Sequence, residues 1–298
     1  METASIPIRT LRSQPPGWGS RLSQAVRLPS VAARHRSLLG AFVRRDIQSR
    51  FQGSVLGRLW PLLHPALLFG LYYLVFVSII RMNHEAAGLT GAQVPLWLFL
   101  GVILWGAFAA TVQRSTGVIV DNGNLVKMSA FPSELLPLSV CLAEGVVFAL
   151  GFGIYAAAHL ALGLALPAKI LLLPALLAGL LAFALGLALL TSAAYVFVRD
   201  TANLVAVFLL FWMFLTPIFW PTHLLDGLPP ALAGALRNNP MFHGIEAARN
   251  LCGLYDASKL PPPVPWGSIG VVLGCGALAL LLGYAAFLGA RRRFVDEI

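Results

Sequence analysis

Residues 43–68 read VRRDIQSRFQGSVLGRLWPLLHPALL. Arg44, Arg45, Asp46 and Arg50 crowd the start of this stretch, and about ten residues later the chain turns almost wholly apolar. Upstream, in 34–53, Leu39, Val43, Ile47 and Phe51 recur at intervals of four, and Leu38 and Phe42 widen the stripe. Arg44, Arg45, Gln48 and Ser49 fall on the other side. That pattern predicts an amphipathic helix over 34–56, lying in a membrane interface with its basic face toward water. Gly53 and Gly57 let the chain turn from it into the apolar run. Asp46 and Arg50 stand at i,i+4 spacing and can pair, an exposed bond worth a few tenths of a kcal/mol, enough for orientation only.

Downstream the apolar character persists. The 298 residues are 58% hydrophobic and 11% charged, with a mean hydropathy of +0.80. Soluble domains carry roughly a quarter charged residues, so this is an integral membrane protein. Apolar stretches of about 20 residues cross a bilayer as helices. Six are expected, near 59–80, 94–113, 135–160, 170–198, 204–220 and 267–290, within a membrane domain spanning 57–298. The alternating ten-residue segments of a closed barrel do not occur. The fold class is an all-α polytopic membrane bundle.

Residues 1–33 contain no apolar h-region of a cleavable signal and read as a flexible cytoplasmic tail. Sixteen of the 21 lysines and arginines fall on one side of the six expected spans. The positive-inside rule makes that side cytoplasmic and places both termini there. The net charge of +9 therefore sets topology and meets anionic headgroups; it does not point to nucleic acid. Cys141, Cys252 and Cys275 lack metal-ligand spacing, and neither a disulfide nor a metal site is expected.

Residues 114–134 read as a short polar loop on the basic side. Asp121 to Asn124 supply turn chemistry, and a brief helix follows before Pro132. Residues 221–255 are too apolar for an exposed loop and too chopped by proline for a crossing. The pieces 231–237 and 241–254 are expected as two short re-entrant helices from the outer side.

Aromatic rings recur on two helical faces. Trp97, Trp105 and Phe108 share a face of span two, with Gly101 between them. Phe208, Trp212 and Phe219 fall near one face of span five. All six are candidates to line a path. Glu144 stands inside span three, where a carboxylate costs about 2.5–3.5 kcal/mol and faces the bundle interior or water. His243, Glu246 and Arg249 recur every three residues and suggest a hydrogen-bonded cluster at the re-entrant tip.

The segments RRDIQSRFQGSVLGRLWPLLHP, LVKMSAFPSELLPL, VRDTANLV and NPMFHGIEAARN resemble, in order and spacing, the ABC-2 type exporter permeases. The last, with His-Gly-Ile-Glu and a following Arg, looks most like the branch exporting capsular polysaccharide from Gram-negative bacteria. The resemblance covers about residues 36 to 293. It implies a homodimer in the inner membrane enclosing a path for a lipid-linked polysaccharide, with two separate ATPase subunits on the cytoplasmic face. Periplasmic co-polymerase and outer-membrane export components are also implied. No G-x-x-x-x-G-K-[ST] loop occurs in the chain, so ATP and Mg²⁺ are expected at the partner and no cofactor here. In the family, the region of Arg45, Asp46, Arg50 and Phe51 and the loop carrying Asn124, Lys127, Phe131 and Pro132 contact that ATPase. Arg199 and Asp200 match a cytoplasmic loop with a gating or headgroup role.

Other readings have sequence tests of their own. An ABC-2 permease for O-antigen, teichoic acid or a small lipid or drug would keep the fold and change the cargo. A membrane transferase would need a catalytic cluster, and no D-x-D site is present. A secondary transporter would need charges at mid-membrane in broken helices, whereas the broken region here lies at an outer edge.

Overall fold

The structure is a computed structural model; it describes residues 19, 23–24, 26–50, 60–79, 89, 93–128, 131–255 and 262–298. Among the described residues every regular element is helical. Two short helices come first, α1 (Leu28–Arg34) and α2 (Arg36–Ser49). Next comes α3 (Trp60–Tyr72), which continues as a π-helical stretch over Tyr73–Ile79. The long helices are α4 (Gln93–Asp121), α6 (Leu135–Ala161), α7 (Leu173–Phe197, led in by a 3₁₀ turn, Ala168–Leu172) and α11 (Trp266–Ala290). Shorter pieces are α5 (Gly123–Val126), α8 (Thr201–Phe214), α9 (Pro230–Arg237), α10 (Pro240–Leu251) and α12 (Phe294–Glu297).

Among the described residues, four helical segments are long and apolar enough to cross a membrane: Gln93–Asp121, Leu135–Ala161, Ala168–Phe197 and Trp266–Glu297. The six-span expectation thus meets four here. The 14 residues of α8 reach about 21 Å at 1.5 Å per residue, against a hydrocarbon core of about 30 Å. The apolar run expected to continue to residue 220 breaks into turns after Leu215, where Pro217 and Pro221 cannot donate backbone bonds. The expected tail also starts its structure early. Leu28 opens α1, with Pro29 next in its first turn, and is buried.

Helix ends follow local chemistry. Both α6 and α10 stop at a left-handed glycine, Gly163 (φ 71°) and Gly253 (φ 81°). Beyond them, Leu164 N–H donates to the His159 carbonyl and Leu254 N–H to the Arg249 carbonyl. These are the six-to-one bonds of a Schellman ending, whose αL residue is usually glycine. At the start of α10, Asn239 caps with Oδ1 accepting from Met241 N–H (3.0 Å), and Pro240 occupies the first turn.

The core divides along the bundle. One cluster gathers Leu96 to Leu100, Trp105, Phe108, Leu176, Ile245, Leu251 and Val272 around the Gln93 end of α4. The other gathers Leu28, Leu39, Phe42, Ile119, Leu135, Leu189, Tyr284 and Phe294 around the Asp121 end. Both the first helices and the last one therefore belong to the same end. The closest crossing is between α7 and α11, at Gly179, Gly186, Gly276 and Gly283. A Cβ on Gly276 or Gly283 would collide with the carbonyl of Gly179 or Gly186. Small residues let two backbones approach where there is no water to drive helices together.

Candidate functional site

The charged stretch before α3 is built into the bundle. Leu39 and Phe42 of α2 are buried against α6 and its neighbours, which turns the next positions on that face, Asp46 and Arg50, toward α4 and α6. Arg114 reaches them from α4 and Glu144 from α6. Asp46 Oδ2 lies 2.7 Å from Arg50 Nη2, and Asp46 Oδ1 lies 2.5 Å from Arg114 Nη2. Glu144 Oε1 accepts from both arginines, at 2.8 Å from Arg50 and 2.6 Å from Arg114. Two guanidiniums and two carboxylates thus close one neutral cluster that fastens α2 to two membrane-crossing helices.

The partner of Glu144 is clear from this geometry. Its side chain is 5% exposed, a burial that only paired charge sustains. Burial pushes the Asp46 carboxyl up, but Arg114 and Arg50 outweigh it and hold the group below its ordinary value of 3.8. The Asp46–Arg50 pair is therefore no exposed orientation bond: both side chains are under 20% exposed and share their partners. Arg114 was expected in a loop. Instead α4 runs on through it to Asp121, with Ser115 and Thr116 buried and Thr116 Oγ1 bonded to the Val112 carbonyl at 2.9 Å.

The remaining coupling candidates gather beside this cluster. Arg45 Nη2 donates to Asn122 Oδ1 (3.1 Å) at the turn into α5, and its guanidinium lies 5.0 Å from the Phe42 ring centre. Phe42 meets Phe131 edge-on at 5.9 Å. Asn124 and Lys127 are exposed, and Pro132 is buried. Phe51 lies outside the described residues. A second latch holds the same loop: Arg291 at the end of α11 pairs with buried Glu134 (3.0 Å) and donates to the Phe131 carbonyl (3.1 Å), while Tyr284 Oη donates to Glu134 (3.2 Å). Arg199 and Asp200 are exposed, with Arg199 lying 5.2 Å from the Tyr195 ring centre.

At the opposite end Arg249 is 1% exposed. It donates to the carbonyls of Trp97, Pro217 and Ile218 and to Glu246 Oε1 (2.8 Å), and lies 3.4 Å from the Trp97 ring centre. A Cβ at Gly101 would stand 2.9 Å from Arg249 Nη2, so that glycine makes room for the guanidinium. The expected His243–Glu246–Arg249 cluster divides. Glu246 and Arg249 pair, while His243 Nδ1 contacts Ser268 Oγ at 3.1 Å on α11.

The structure places the aromatic candidates mostly inside one chain. Trp97, Trp105 and Phe108 are buried. Trp105 and Phe108 pack on Trp212, and Phe108 stacks on Phe183 at 5.6 Å. Trp212 Nε1 donates to Asn239 Oδ1 (3.0 Å), whose own Nδ2 donates to Thr216 Oγ1. Phe219 is half-buried, and Phe208 remains 60% exposed.

A family profile described as ABC-2 type transporter matches residues 37–252, a span that holds the charged cluster, the loop of α5 and the Arg249 anchor. The chain belongs to the ABC-2 type transporter family. It is 27% identical over 276 residues to the O-antigen export system permease protein RfbA of Myxococcus xanthus, covering 92% of this chain and all of that one. Two permeases of the same name from Klebsiella pneumoniae are 24% and 22% identical over 263 residues, 87% of this chain and 94% of theirs.

Proposed function

We propose that this chain is the permease subunit of an ATP-driven exporter that moves a lipid-linked O-antigen polysaccharide across the inner membrane. One observation carries the cargo: the match to relatives named as O-antigen export permeases runs nearly end to end. The segment that resembles the capsule branch does not by itself favour that cargo. Glu246 and Arg249 close buried bonds that any cargo would leave in place. The O-antigen reading therefore stands ahead of capsule, and the additional envelope components implied by capsule do not follow from it.

In this reading two copies enclose the path and two ATPase subunits dock at the Asp121 end, which is cytoplasmic. The clustering of both described chain ends with most of the basic residues supports that orientation. The first and fifth of six crossings are α3 with its π extension and α8, while α9 and α10 dip in from the outer side. Motion of the ATPase reaches the bundle through α2, because the Asp46–Arg50–Arg114–Glu144 cluster moves α4 and α6 with it. The rings left exposed on α8, among them Phe208 and Phe211, face the path.

Deleting the gene in its own host is the test. Surface O-polysaccharide should disappear while lipid-linked polymer accumulates inside, and the tagged permease should copurify with an ATPase. Intact O-polysaccharide with loss of capsule would replace this cargo by the other.

A further inference from the structure

A groove of about 450 Å³ lies between α3, α4 and α6, within the range of small-molecule sites. Val102, Ile103, Ala107, Val147 and Phe148 are among its apolar walls, and Arg50, Arg114, Glu144 and His64 form its polar end. A second, apolar cavity of about 360 Å³ shares the Ala107 and Phe148 walls and continues between α6 and α7. Arg50 spends Nε and Nη2 on the carboxylates, and Arg114 spends Nη1 and Nη2. Arg50 Nη1 and Arg114 Nε keep N–H groups without a partner among the described residues. His64 is exposed at the same end.

We infer that this groove binds a single-chain lipid phosphate: the chain along the walls past Phe148, the phosphate at Arg50, Arg114 and His64. The inference rests on the reading that the cargo is lipid-linked, and names where one subunit holds its lipid end. Guanidinium forks match phosphate oxygens, and the methylenes of a lipid chain gain by leaving water for the apolar walls. The cluster is formally neutral, so an arriving phosphate draws the guanidiniums away from the more exposed carboxylate, Asp46 (19% against 5% for Glu144). Because Arg50 ends α2 and Arg114 lies on α4, a phosphate held by both takes the place of Asp46 in the tie, and the site reports its ligand to the helix that meets the ATPase.

Gly106 lines the groove, and a Cβ there meets nothing within 4 Å. Gly106→Leu therefore sets its Cβ in open space and extends the rest of the side chain into the groove. The permease–ATPase complex in nanodiscs is photolabelled with a diazirine analogue of geranylgeranyl phosphate, and the labelled peptides are read by mass spectrometry. Label should fall on α4 and α6 around Val102 and Phe148 and drop about tenfold in Gly106→Leu, the change expected from losing about 1.4 kcal/mol of binding. Basal ATP hydrolysis should be unchanged. The analogue lacking phosphate should label weakly, and excess phosphatidylglycerol should not compete. Equal labelling in the variant, equal labelling by the alcohol, or full competition by phosphatidylglycerol overturns the site. A host deletion that leaves O-polysaccharide export intact would instead overturn the cargo reading while leaving a positive labelling result standing.

Discussion

The four-charge cluster makes a quantitative claim about additivity. Asp46 and Glu144 each bind the same two arginines. Glu144→Ala removes the acceptor of two charge-assisted bonds, of 2.8 and 2.6 Å. Removing one partner of a buried pair costs about 3–5 kcal/mol. Arg114 is 35% exposed, and water relieves part of its loss, so about 3 kcal/mol is expected. Asp46→Ala removes a carboxylate at 19% exposure and should cost about 2 kcal/mol. Either single change leaves both guanidiniums on the other carboxylate. The double change leaves them on none.

Loss in the double variant should therefore exceed the sum of the singles by about 1 kcal/mol, since residues within one network couple by about 0.5–3 kcal/mol. The free energy of unfolding in mixed detergent micelles, followed by tryptophan emission, measures all four corners of the cycle. Glu144→Gln, which keeps shape and an acceptor, should fall between wild type and alanine. If the two alanine losses add to within about 0.3 kcal/mol, the carboxylates act as separate pairs. The argument that the cluster moves α2, α4 and α6 as one body then fails.

Four further outcomes follow from the same geometry. Arg249→Leu strands three carbonyls in the interior and leaves part-exposed Glu246 unpaired, and should cost about 3–5 kcal/mol, with Arg249→Lys recovering part of it; thermal unfolding should place wild type highest and Arg249→Leu lowest. Gly283→Ala drives a methyl into the Gly186 carbonyl and should lower stability by about 1–3 kcal/mol, whereas Gly274→Ala, open on all sides, should be neutral or gain up to about 1 kcal/mol. Trp105→Ala should cost about 3–5 kcal/mol as a core deletion; export lost at unchanged stability would show that the ring acts on the cargo instead. Because the folded pKa of Asp46 lies below 3.8, its contribution is present above that value and is lost as pH falls through the lower folded one. Stability from pH 8 to about 5 should owe nothing to its titration, and Asp46→Asn should flatten the limb below about pH 4.

What could be read from the sequence divides along physical lines. Apolar runs are a property of each segment alone, so α4, α6, α7 and α11 were legible by length and hydropathy. The run at 204–220 was not, because hydropathy does not register that Thr216 and Pro217 turn the chain; α8 ends where backbone geometry fails although apolarity continues. The interface helix was legible as an amphipathic period, but its stripe was centred on the Leu39–Val43–Ile47 line. Burial of Phe42 beside Leu39 shows the face turned toward protein, and that turn brings Asp46 inward. Glu144 carried a signal that composition alone could not complete. A carboxylate nine residues into an apolar helix demands a cation at matching depth. Arg114 stands at that depth, seven residues before the end of α4, once the helix is allowed to run to Asp121. Gln113 to Thr116 look like the polar edge of a span, but nothing in them breaks a helix before Asn122 and Gly123. Reading polarity as a boundary hid the pairing. Asking which residues stop a helix, and then which depths must neutralise one another, would have found it.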